Sequence, residues 1–397
     1  MYNIARDYIL LAFAINQHIP GYIDSYFGPE EVKLEAESRG KLPLENLALE
    51  ADRLVLALPG SAFETQRTDF LAAQLTAMQT SIRLLRGERL PLVREVELLY
   101  GLEPAWVDET LFSEAHRQLE ELLPPGESLP ERMAAYKKEA EVSLEAAQPL
   151  FEEIRQRLRT LTRQRFSLPT QEDFELVMVT EKPWGAYNWY QGKGHSRIEI
   201  NTDLPLRLTS FLGLITHEGY PGHHTELTFK EFRLVQEHGW QEHGIVLLNS
   251  PHSSISEGIA NCALDTILSH EEQIEWETEL FARAGIQLDP RRVQQIRDAF
   301  KPIARVNGNA AFMLRDQGAS EDETAAYIQR WALSNPAEAR KSVSFITRYT
   351  SYIFNYTLGM DLLETLFAAK GNRQTWFTRL LTEPVTPLMV RRWIERS

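Results

Sequence analysis

The chain is poor in several things that would each have decided its class. Among 397 residues it has one cysteine, Cys262, so no internal disulfide can form, and a reducing, cytoplasmic setting is the expectation. It has no excess of basic residues: 42 Lys and Arg face 56 Asp and Glu, a net charge of −14. Nucleic acid and anionic membrane surfaces both require a basic face, so neither is expected as a partner. It has no apolar run long enough to cross a bilayer. The opening stretch from Met1 to Ile15 carries Arg6 and Asp7 within its apolar pattern and no basic run before it, and reads as an amphipathic helix rather than a signal peptide or a membrane span. Internal repeats and low-complexity tracts are also missing. What remains is a chain with 43% hydrophobic residues, enough for one large helical body or two lobes.

Residues 1–168 read as a helical scaffold, with apolar residues at spacings of three and four near 45–57, 62–86, 108–123 and 128–163. Residues 169–397 read as the catalytic, metal-binding part, and the two are expected to form one continuous fold. Here two short β-prone pieces, 176–180 and 197–200, flank a Gly-rich turn, and the alternation in Arg197–Ile200 predicts an edge strand beside the active-site helix. Trp184, Tyr187, Trp189 and Tyr190 are expected to wall a cleft. Helices are predicted at 257–283, 290–315, 321–333, 336–370 and 374–382. The fold class is therefore mainly α with a small β element.

The chemistry concentrates in Thr216–Thr225, where three histidines surround a glutamate. Zinc hydrolases commonly place two histidines four apart on a helix, with a Glu beside the metal-bound water. Here the position four after His217 is Pro221, and the next histidines, His223 and His224, are six and seven on. A regular helix turns about 100° per residue, so neither spacing brings the rings together. Pro221 cannot donate to the carbonyl of His217, and Gly222 tolerates unusual dihedrals, so a helix with a two-residue insertion is expected. A hydrolytic zinc needs a third protein ligand. Glu257 is the candidate, in a helix first turn capped by Ser254 or Ser256, with Asn261 and Asp265 one and two turns on as supports for a ligand histidine.

His217-Glu-Gly-Tyr-Pro-Gly-His-His224 resembles the H-E-x-x-P-G-H-H signature of a bacterial family known as domain of unknown function 885, regarded as zinc metallopeptidases of the gluzincin type. Tyr187–Tyr190, Ser196–Thr202, Ser256–Ile259, Arg348-Tyr349 and Tyr356–Gly359 are similar to further segments of that family. Ile259 departs from it where Trp is usual, as does the Thr225-Glu226 pair. The resemblance implies a helical gluzincin-like body and favours His223 over His224 as second ligand, both staying open. It also singles out Arg348 and Tyr356 for the oxyanion, eight apart and so on one helix face, from a set that includes Tyr349 and Tyr352. The expectation is thus a Zn²⁺ hydrolase of peptide bonds acting on short peptides, with His217, a second histidine and Glu257 as ligands and Glu218 as base. An arginine reading a free carboxylate would make it a carboxypeptidase. A non-peptide amide substrate, or a metal-stabilised peptide-binding protein without catalysis, are the alternatives. The other histidines are read as structural, His252 being set apart by its place five before Glu257.

Overall fold

The structure is a computed structural model and describes residues 3–396. Helices dominate, and the strands are few and short: β1 (Ile23–Tyr26), β2 (Glu141–Val142), β3 (Asp173–Val179), β4 (Ala186–Gly192), β5 (His195–Asn201), β6 (Leu206–Arg207) and β7 (Ile245–Leu247). Two cores form. One gathers the first helices, Ile4–Asn16, Leu44–Ala57 and Thr65–Leu85, through Ile9, Leu11, Leu47, Leu71 and Met78. It also takes in Ile245 and Leu247 of β7 and Met389 from the far end of the chain, because β1 pairs antiparallel with β7. The other core packs the remaining helices around Phe151, Phe211, Ile215, Ile255 and Ile259.

The three-stranded sheet has the order β3-β5-β4, with β3 parallel and β4 antiparallel to β5. Arg197–Ile200 is therefore in the central strand, not at an edge as its alternation predicts. Its residues alternate because one face meets the motif helices and the other is less covered; pairing on both sides is invisible to that pattern. The strand beside the site is β4, where Asn188 Nδ2 donates to the carbonyl of Glu218 at 2.6 Å.

The predicted 336–370 helix is divided. Pro336–Tyr349 ends in turns, a wide π-type turn spans Asn355–Gly359, and Met360–Lys370 follows. The cause is a backbone contact: a Cβ on Gly258 would stand 2.7 Å from the Gly359 carbonyl, and one on Gly359 would stand 2.3 Å from that of Ser254. Two helices that touch at glycine backbone leave no room for a side chain, and the wide turn accommodates the approach.

Candidate metal centre

The motif helix Phe211–Glu218 is buried through Phe211, Leu212, Ile215 and Thr216. It stops at Glu218, four residues of turn follow, and a second helix begins at His223. Gly222 N–H bonds the Thr216 carbonyl at 3.0 Å and Thr225 N–H the Gly219 carbonyl at 3.3 Å. Both bonds reach back six residues instead of four, the two-residue insertion written in hydrogen bonds. Gly222 passes so near the first helix that a Cβ there would stand 1.8 Å from the His217 carbonyl oxygen. The insertion turns the rings of His217 and His223 to face each other, 4.8 Å between centroids and perpendicular.

Glu257 arrives from the helix Pro251–Ile267, which packs against the motif helix. That helix begins at Pro251, so Glu257 lies in its second turn and neither Ser254 nor Ser256 is its cap. Ser254 instead bonds the Tyr100 carbonyl and Asn355, tying the helix to its neighbours. One ligand atom each from His217, His223 and Glu257 lies within 4.8 Å of the others, with Nε2 of His217 3.5 Å from Glu257 Oε2 and Nε2 of His223 3.9 Å from Oε1.

The partners of these groups decide which atoms are free. Burial lifts the Glu226 carboxyl, but His252, Lys230 and Ser256 outweigh it and hold it at about 2, so it only accepts. Ser256 Oγ donates its single proton to Glu226 Oε2, and so it must accept from His223 Nδ1, 3.0 Å away. The network thereby assigns the proton to Nδ1 and leaves the Nε2 lone pair facing Glu257. Asn261 bonds the His217 ring and also donates to the Tyr356 carbonyl at 3.1 Å. Tyr352 donates to Glu257 Oε1 at 2.6 Å, whereas Oε2 is buried with no hydrogen-bond partner.

Electrically the cluster is unfinished. Burial, with the field of His223, holds His217 at about 3, and burial holds His223 at about 4. Burial pushes Glu257 to about 8, and burial together with the charge of Glu257 pushes Glu218 to about 8. Two neutral imidazoles and an orphaned carboxylate oxygen around one point suit a divalent cation, which would favour the charged carboxylate and use both lone pairs.

Other predicted residues fall elsewhere. His224 points away from the cluster: its Nδ1 meets Ser196 Oγ at 2.8 Å and its Nε2 meets Glu172 Oε2 at 3.2 Å. Adjacent helix residues differ by about 100°, so one of the pair faces the site and the other anchors the sheet. Glu172, which also binds Tyr220, Arg159 and Arg163, completes that anchor. Arg348 is exposed, its guanidinium 5.4 Å from the Tyr349 ring, and it does not line the site. The break after Tyr349 separates it from Tyr356, which does line the site beside Glu218 and Glu257. Asp265 is exposed and bonds Gln273, away from the ligand histidines. Trp184 and Tyr187 wall the pocket; Tyr190 instead bonds Glu231, and Trp189 stacks behind Tyr187. Ile259 lies in the core, so its departure leaves the pocket wall untouched.

Asp24 of β1 lines the same pocket, bonded by the Tyr187 hydroxyl. No sequence signal marks it, since Ile-Asp-Ser-Tyr resembles any short strand. Ser256, next to Glu257, and Glu226, three after His223, carry a weaker mark in their spacing.

No family model matches the chain, and no curated protein matches it in sequence. Among solved structures, it is similar to a "putative lipoprotein" from Colwellia psychrerythraea (14% identity, TM-score 0.50, covering 92% of this chain and 73% of that one). A "putative lipoprotein of unknown function" from Shewanella oneidensis matches at 12% identity and TM-score 0.48, over 96% of this chain and 81% of that one. An M32 carboxypeptidase from Deinococcus radiodurans R1 matches at 11% and 0.42, over 99% and 95%. These likenesses concern fold. No helix among the described residues is long and apolar enough to cross a membrane.

Proposed function

We propose that the chain is a zinc-dependent hydrolase of peptide bonds acting on short peptides. The observation that carries the reading is the convergence of His217 Nε2, His223 Nε2 and a Glu257 oxygen within 4.8 Å, beside a buried Glu218. Two imidazoles and one carboxylate with an open position form the donor set of a hydrolytic zinc. Bound there, such an ion would supply Lewis acidity and lower the pKa of a coordinated water to about 7.

The chain's own groups divide the rest of the work. Tyr352, Asn261 and the Glu226–Ser256 pair orient Glu257, His217 and His223. With a cation in the cluster favouring its ionised form, the Glu218 carboxylate takes the proton of the attacking water and passes it to the nitrogen of the leaving amine, so one group serves as base and then as acid. The Tyr356 hydroxyl, on the same pocket wall, donates to the oxygen that gains charge. With Arg348 at the surface, nothing supports its reading a substrate carboxylate. The lone, buried Cys262 is the ground on which we place the protein in a reducing compartment, the cytoplasm.

The test is zinc content and turnover on a peptide library. The wild type should hold about one zinc per chain and cleave peptides, whereas Glu218→Gln should keep the metal and lose roughly 10²–10⁴-fold in turnover. Equal turnover in both would end the reading of Glu218 as base. Cleavage confined to non-peptide amides would move the substrate class and keep the chemistry.

A further inference from the structure

Two spaces meet at His217 and Glu218. One is a comparatively enclosed pocket of about 100 Å³, reaching Asp24; the other is an open groove of about 1020 Å³. Their linings differ. The pocket wall carries Asp24, Glu218 and Glu257 and no Lys or Arg, while the groove wall carries Lys137, Arg207, Arg297, Lys301 and Lys341, each already paired with a carboxylate: Glu338 for the first two, then Glu277, Asp298 and Asp203. The proposed function uses Glu257 and Glu218. It has no use for Asp24.

Asp24 is oriented by the Tyr187 hydroxyl, and no Lys, Arg or His among the described residues forms an ion pair with it. His252 lies within its field but is bonded to Glu226 at 2.9 Å. A carboxylate in a narrow pocket without a cation is costly unless a ligand supplies one. Burial accordingly lifts its carboxyl to about 6. Leu227, Val246 and Leu248 line the same pocket and would meet a small apolar side chain.

We propose that Asp24 receives the α-ammonium of the substrate's first residue, which occupies the enclosed pocket while the rest of the peptide lies along the open groove. The enzyme is then an exopeptidase acting from the amino end, because the pocket wall beyond the metal ligands presents the Asp24 carboxylate and no Lys or Arg that could pair with a terminal carboxylate. The inference rests on the hydrolase reading for its catalytic consequence, though not for the binding itself.

The experiment uses the zinc-loaded full chain with trialanine and N-acetyl-trialanine. The wild type should prefer the free amine by about tenfold or more in kcat/KM, as expected for a desolvated charge pair, and Asp24→Asn should bring the ratio to near unity through loss on the free-amine peptide. A wild type that favours the acetylated peptide, or a ratio that Asp24→Asn leaves unchanged with zinc content and Tm intact, overturns the proposal. Calorimetric binding of trialanine to Glu218→Gln and to the Asp24→Asn/Glu218→Gln double variant separates the two readings. A loss of about tenfold or more in affinity upholds the ammonium site even if neither peptide is ever cleaved; equal affinity removes it even if the enzyme proves to be a peptidase.

Discussion

Replacing Glu257 by Gln should change how the metal-free protein responds to pH, in a direction set by burial. In the folded, metal-free chain Glu257 keeps its proton to about pH 8, against 4.5 when exposed. Between those values the folded state binds more protons than the unfolded one, so stability falls as pH rises through that window. At 1.36 kcal/mol per pH unit the interval caps the effect at roughly 5 kcal/mol, and from pH 5 to pH 8 it amounts to about 3 kcal/mol. Glu218 is raised in part by Glu257, so removing that charge lowers its own contribution in the same sense. His217 and His223, depressed to about 3 and 4, act oppositely and only below the ordinary histidine range, as pH falls. Urea melts of chelator-dialysed protein at pH 5 and pH 8 should therefore show the wild type losing about 3 kcal/mol more than Glu257→Gln. Zinc should restore the wild type at pH 8, by roughly 4 kcal/mol at a thousandfold excess over Kd, and do much less for the variant. Identical pH dependence of the two metal-free proteins would refute the account of Glu257 as a buried, uncompensated ligand.

Three further outcomes follow from the contacts. Ser256→Ala breaks the link that fixes the His223 tautomer and should weaken zinc binding about 10–100-fold in competition with a chromophoric chelator, with a loss of roughly 1–3 kcal/mol in the metal-free chain from the hydrogen bond to buried Glu226. Gly222→Ala forces the two motif helices apart and should abolish stoichiometric zinc, read by elemental mass spectrometry, with far-ultraviolet circular dichroism still helical. Arg348→Ala, altering an exposed side chain, should leave kcat/KM within about twofold; a loss of a hundredfold would restore it to the site.

The mainly helical class was legible because apolar spacing along the chain reports which face of a helix is covered. The convergence of His217, His223 and Glu257 was legible for a different reason. Donor type and spacing restrict chemistry before any fold is known, and the two-residue insertion could be inferred from Pro221 and Gly222. Choosing between His223 and His224 required seeing where Glu172 and Ser196 lie, 52 and 28 residues away. Ranking Arg348 with Tyr356 assumed one helix, and that failed because Gly258 and Gly359 meet backbone to backbone and force a wide turn between them. Asp24 lay beyond any local reading, since it reaches the site only through the pairing of β1 with β7.

That pairing bears on why the motif is spaced as it is. With the histidines four apart, a single straight helix would present both of them and continue onward. Six residues and a turn instead end the first helix at Glu218 and start the second at His223. The second helix then places Glu226 and Leu227 toward the Asp24 side, where Leu227 joins Val246 on the pocket wall. Glu226 in turn holds both Ser256 and His252, on the helix that carries Glu257. One insertion thus brings His223, the Glu226 carboxylate that holds its serine partner, and the Leu227 wall of the enclosed pocket from a single seven-residue helix, His223–Phe229. An ideal helix could supply the ligand without the wall. Under the proposed function the departure from regular spacing would serve substrate recognition as much as metal binding, and a substitution at Leu227 should then shift peptide preference while zinc stays bound.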